Sequence, residues 1–241
     1  MNLAYIYALL LLCASYALVF YLMKHFHSLR AMEFVFVGLV FIPYVCLSLV
    51  VLRDVGFNDW NYRNTLPVAN VSPFMFALTP LVLVLPRCVK KHFLLLISLL
   101  SVGMAFSSIL GCINNAAINY KFHLHFMLDY VSHFALSLYG VYLVRTRQVN
   151  LNIKSASVSG SIILASAFVM MILNVIFDTA FFGLSLNGKH NIYNNVLFKS
   201  SYLSAFVYFL GLIAVLVLGF FYIKLLLLKS TEIKTSDNKS E

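Results

Sequence analysis

Seven apolar runs, each close to the ~20 residues that cross a bilayer, alternate with short polar segments along this chain. We read them as helices over about 3–23, 32–52, 68–86, 93–113, 125–144, 158–178 and 201–223. No basic residue precedes the first run, and it is longer than the ~7–15 apolar residues of a signal-peptide core, so we expect a retained helix. The third run is interrupted: Pro73 suits a first helical turn, but Pro80 lies inside and should kink the helix. A polar loop over 53–67 carries Trp60 and Tyr62, which suit a membrane interface. A second, over 179–199, is rich in the turn formers Gly and Asn. Beyond Lys224 the chain becomes polar and lysine-rich. The expected organisation is one seven-helix transmembrane domain, 1–223, and a disordered cytoplasmic tail, 224–241.

Composition agrees with the pattern. The 241 residues are 62% hydrophobic and 10% charged, with mean hydropathy +0.92, more apolar surface than a soluble domain of this length can hide. The fold class is therefore an all-α polytopic membrane helix bundle. The four cysteines, Cys13, Cys46, Cys88 and Cys112, are scattered without a CxxC, which argues against a disulfide framework or structural zinc.

The net charge of +9 sits in short loops between apolar spans, so it points to orientation and anionic lipid rather than nucleic acid. Neither zinc-finger spacing nor a basic-aromatic platform for single strands is present. With seven crossings, 12 of the 17 Lys and Arg fall on the side holding the C-terminus. That places the C-terminus in the cytoplasm and the N-terminus outside. Glu33 lies three residues from Arg30 at a basic end and reads as an interfacial ion pair with it.

This orientation brings the polar residues of several spans to one level near the outer surface: Asn70, Ser72, Cys112, Asn114, Asn115, His125, Asp129, His133 and Asn174. Ionisable groups at membrane depth are costly and usually face an interior cavity. His125, Asp129 and His133 are four apart and share a helix face. A carboxylate can accept the proton of one imidazole nitrogen and leave the other as a base, so Asp129 and His133 form half of a nucleophilic triad. Ser72 and Cys112 are the nucleophile candidates by depth, and Asn70 or Asn114 could donate to an oxyanion. Asn115, Asn174 and His125 would contact substrate. The bland alternative is helix–helix glue. Three metal ligands could come from His123, His125, Asp129 and His133, but we expect neither metal nor cofactor. No Walker, Rossmann or HExxH pattern occurs, and Asn70-Val71-Ser72 is a weak glycosylation sequon because Pro73 follows.

Two segments, WNYRNTLPVANVSPFMF over 60–76 and FMLDYVSHFALSLYGVYLV over 126–144, resemble the YwaF-like bacterial integral membrane proteins and, more distantly, the transmembrane protein 164 acyltransferase of animals. The shared motifs are Thr65-Leu66-Pro67 and Ser132-His133, about 35 residues of recognisable pattern. The resemblance implies a hydrophobic bundle in a bacterial plasma membrane, with membrane lipids as partners. In the animal relative it implies phospholipid acyl transfer through a cysteine and a histidine. The histidine maps to His133; the cysteine position is Val71, with Ser72 beside it. Valine cannot be a nucleophile, so the resemblance leaves Ser72, Cys112 or lost chemistry. Binding or transport of a polar solute or lipid headgroup, and an accessory role beside another membrane protein, are the alternatives to an acyl enzyme.

Overall fold

The computed structural model describes residues 29–56, 70–118, 124–149, 151–177 and 201–237, with the single positions 14, 17, 21 and 66. The described residues are helical, without strands. The elements are α1 (Leu29–Val55), α2 (Val71–Leu78) followed by a 3-10 segment (Thr79–Leu83), α3 (Arg87–Ile118), α4 (Leu124–Arg145), α5 (Ile153–Phe177) and α6 (Ser201–Asp237).

Five of these, α1, α3, α4, α5 and α6, contain stretches long and apolar enough to cross a membrane. They correspond to the second, fourth, fifth, sixth and seventh expected spans. The first expected span lies outside the described residues apart from isolated positions. The third is shorter than expected. Its apolar helix covers only Val71–Leu83, below the length of a crossing. The cause is Pro80, which has no N–H to donate back to Phe76, so the α-helix stops at Leu78 and the tighter 3-10 turn takes over. Pro73 sits in the first turn of α2, where a missing N–H costs nothing. At the other end of the chain, α6 runs past Lys224 to Asp237, where a disordered tail is expected. No Pro or Gly interrupts 220–237, and Leu225–Leu228 extend the helical apolar run.

Helix α4 is the hub. In its spanning part 72% of residues are buried, against 17% in α6 and 22% in α5, which face outward with Phe168, Val169, Ile176, Phe206 and Phe221 exposed. In water such faces would aggregate; in a bilayer they meet lipid tails. Around α4 the core is built from Phe36, Tyr139, Phe76, Leu96, Leu100 and Leu136, all nearly or fully buried.

Apolar burial does not drive helices together inside a bilayer, so the contacts rely on close approach and hydrogen bonds. Small residues mark the seams. A Cβ on Gly140 would sit 2.6 Å from the Ser101 Cβ and 3.1 Å from the Ile97 carbonyl oxygen, so α3 and α4 touch backbone to backbone. The Ser98 hydroxyl donates to the carbonyl of Leu94 and, at 3.4 Å, to that of Gly140. On the other side of α3, a Cβ on Gly219 would lie 1.9 Å from the Leu99 carbonyl oxygen, which holds α6 against α3. Aromatic rings fasten the rest. Phe36 stacks on Tyr139 with centroids 5.1 Å apart and lies 5.2 Å from Tyr142, joining α1 to α4. Tyr44 meets Phe76 at 5.8 Å, joining α1 to α2.

The helix ends are written in ordinary capping chemistry. Asn70 has extended backbone and caps α2, its Oδ1 accepting from the Val71 N–H at 3.0 Å. Asn152 caps α5 by accepting the Ser155 N–H at 2.7 Å. The end of α4 is a Schellman turn: the Gln148 N–H donates to the Leu143 carbonyl and the Arg147 N–H to that of Val144. Arg147 takes the left-handed conformation, φ 56°, that glycine usually occupies there.

Candidate functional site

His133 lies on α4 one turn after Asp129. Its Nδ1 is 3.0 Å from the Asp129 carbonyl oxygen and 3.3 Å from the carboxylate Oδ1. Both neighbours are acceptors, so Nδ1 carries the ring proton and donates it, leaving Nε2 with the lone pair. Nε2 has no hydrogen bond to any described residue. The ring packs edge-on against Phe76 of α2, centroids 4.8 Å apart. The His133 side chain is 12% exposed and that of Asp129 50%, so the pair leads from the surface inward. This is the arrangement that the four-residue spacing predicts, with the carboxylate orienting the imidazole.

Ser72 and Asn70 lie elsewhere. They line a groove of about 380 Å³ formed by the start of α2, the middle of α3 and the first half of α6. His133 and Asp129 are not among the residues that line it. Ser72 precedes Phe76 by one turn, as Asp129 precedes His133, so the groove and the pair share α2 as their common wall. Among the described residues the Ser72 hydroxyl has no hydrogen-bond partner. Ser132, beside the histidine, is fully buried and spends its hydroxyl on the Leu128 carbonyl at 3.1 Å.

The groove is graded with depth. Asn70 and Ser72 begin α2, Ser107 follows Leu100 and Met104 along α3, and Tyr208 precedes Leu212 and Val215 along α6. Because α3 runs opposite to α2 and α6, Asn70, Ser72, Ser107 and Tyr208 gather at one end. Leu100, Leu212 and Val215 form the deeper part. Gly211 borders the groove without touching anything: a Cβ added there meets nothing within 4 Å.

The remaining candidates divide. Asn174 is buried, 2% exposed, on the inward face of α5 with Ile163 and Ala167. Cys112, Asn114 and Asn115 belong to the last turns of α3 and His125 to the first turn of α4. Their side chains lie outside the described residues, as does His123. Among the described residues no group of three His, Cys, Asp or Glu comes together as a metal site would require.

Ser107, Tyr208 and Gly211 did not stand out in the sequence. The available signal was Gly211, a glycine in the middle of an apolar span with no turn to make. Glu33 is also different from expectation. Its partner is not Arg30 but Lys90 of α3, whose Nζ donates to Oε2 at 2.8 Å. Both members are largely buried, the side chains 10% and 23% exposed, and Tyr139 and Tyr142 lie within electrostatic reach of the carboxylate. A polar cluster thus occupies the basic end of the bundle.

No protein-family model matches this chain, and comparison with characterised proteins and with solved structures returns no match either.

Proposed function

We propose that this integral membrane protein holds a membrane lipid in the groove between α2, α3 and α6, in a seven-pass topology, N-terminus outside and C-terminus in the cytoplasm, whose third pass is the segment 68–86 with its short helical part Val71–Leu83. The observation that carries the reading is the grading of the groove. Amide and hydroxyl groups at its mouth suit a glycerol or headgroup, and Leu100, Leu212 and Val215 below suit an acyl chain. The basic start of α3, at Arg87, Lys90 and Lys91, lies at the opposite end from that mouth, and this charge asymmetry supports a mouth in the outer leaflet.

The test uses Gly211→Phe, which fills the groove from a position with free space. Purified protein in nanodiscs is exposed to a phospholipid carrying a photoreactive group on its acyl chain. The expected result is labelling of α3 and α6 peptides in the wild type and at least a tenfold loss in the variant, with an unchanged melting curve. Equal labelling of both overturns the reading.

A second reading, acyl transfer or ester hydrolysis, is favoured by one observation: Asp129 holds the His133 Nδ1 and leaves Nε2 as a base. Ser72 is the candidate nucleophile on the shared wall of α2, and Asn70 caps that helix through its Oδ1, which leaves its amide NH2 as a donor. On this reading His133→Ala abolishes release or transfer of a labelled acyl chain in proteoliposomes without lowering the melting temperature, and Ser72→Ala lowers turnover by about 10² or more. An unchanged rate in both variants removes the enzyme reading and leaves lipid binding intact.

A further inference from the structure

A second groove, of about 420 Å³, opens on the other flank of α6, between α5, α6 and Leu99 of α3. It is separated from the first by the contact between Gly219 and the Leu99 backbone. Its two walls differ in character. Small residues of α5, chiefly Ala156, Ser157, Gly160 and Ser161, leave the hollow, and Leu216 and Phe220 of α6 form the apolar side.

The groove has a definite direction and length. It starts at Ile153 on α5 and Phe220 on α6 and ends at Leu164 and Ile213. Eleven residues separate Ile153 from Leu164, a rise of about 16 Å along a helix. Half of a bilayer's hydrocarbon core is about 15 Å. The groove therefore matches one leaflet in length, the reach of one acyl chain.

Its open end is basic. Lys154 follows Ile153 directly, and Lys224 lies one turn beyond Phe220. Both are exposed, and neither has an acidic partner among the described residues. Lys90, by contrast, is paired with Glu33, and Arg53 with Asp54. Lys154 also stands in the first turn of α5, where the helix dipole repels a cation and a nearby anion relieves the repulsion. Apolar walls one leaflet long, ending at two uncompensated lysines at headgroup level, have the chemistry of an anionic phospholipid.

We infer that the α5–α6 groove binds one acyl chain of an anionic phospholipid from the leaflet on the basic side of the bundle, with its phosphate held by Lys154 and Lys224. This site is independent of the proposed lipid groove on the opposite flank of α6.

The experiment places full-length protein in nanodiscs of phosphatidylcholine with a minority of phosphatidylglycerol, and compares nitroxide-labelled phosphatidylglycerol with nitroxide-labelled phosphatidylcholine. The wild type is expected to immobilise the anionic probe in preference to the zwitterionic one. Replacing both lysines, Lys154→Gln with Lys224→Gln, lowers immobilisation of phosphatidylglycerol by about fivefold for each lysine, towards that of phosphatidylcholine, and leaves phosphatidylcholine unchanged. Ser161→Phe, at an exposed position that lines the groove, reduces immobilisation of both probes. Gly211→Phe in the other groove lowers any immobilisation there equally for both probes and leaves the preference for the anionic probe and its dependence on the two lysines unchanged, so failure here is distinguishable from failure of the proposed function. Equal immobilisation of the two probes by the wild type overturns the inference. So does a preference that survives the lysine replacements, or binding insensitive to Ser161→Phe.

Discussion

Glu33 and Lys90 are 57 residues apart and meet at 2.8 Å where little water reaches them. Such a pair is costly to assemble because both charges lose hydration, but costlier still to break, because one charge is then left alone. Glu33→Gln is expected to lower the stability of the bundle by about 3 kcal/mol. Replacing both residues by Met is expected to recover most of that loss, because no charge remains to be paired. Thermal melting of the three variants in one detergent checks the order; a double variant no better than Glu33→Gln contradicts it. The sequence placed Glu33 correctly at a basic end and chose the wrong partner. Arg30 is near along the chain, but partner choice depends on which helix faces α1, and helical spacing within one element carries no such information. His133 and Asp129 were legible for the converse reason: their contact lies within a single helix, where a separation of four residues is a distance.

Among the elements, α3, α4 and α6 depend on glycines that permit contact rather than flexibility. At Gly219 an added Cβ lies 1.9 Å from a backbone oxygen, which cannot swing aside as a side chain would. Gly219→Ala is therefore expected to separate α6 from α3 and destabilise the bundle, whereas Gly211→Ala, on the same helix in open space, is expected to leave the melting temperature within a degree or so. A limited-proteolysis or melting comparison of the two variants checks this. The end of α4 makes a second prediction. Arg147 adopts a left-handed conformation that costs a side-chain-bearing residue about 1 kcal/mol, so Arg147→Gly is expected to raise the melting temperature slightly. Pro73 and Pro80 were correctly read from the chain, since proline's missing donor acts on its own helix. The outcome at Pro80, an α-helix replaced by a 3-10 turn, was read only as a kink.

For the whole molecule, the proposed orientation rests on where the positive charges fall, and it has a direct chemical test. Cys88 is a free, exposed thiol in the first turn of α3 beside Arg87 and Lys90. In a variant with Cys13, Cys46 and Cys112 replaced by Ala, a membrane-impermeant maleimide is expected to label Cys88 in inside-out vesicles and not in intact cells. Labelling of intact cells reverses the topology, and the proposed outer-leaflet groove would then lie in the inner leaflet.

The sequence by itself determined the class: apolar runs of bilayer length can satisfy their backbone groups in lipid only as helices, whatever their neighbours. It also determined the Asp129–His133 pair and the helix-breaking prolines, all of which act within one segment. Tertiary structure alone decided which helices touch, and so which polar residues share a cavity. Depth in the membrane is a one-dimensional quantity that the chain displays, and it put Ser72 and His133 at one level. The rotation of each helix about its axis is a second coordinate. It is set by close contacts such as Gly140 on Ser101 and Gly219 on Leu99, and it turned Ser72 into a groove whose lining His133 does not join.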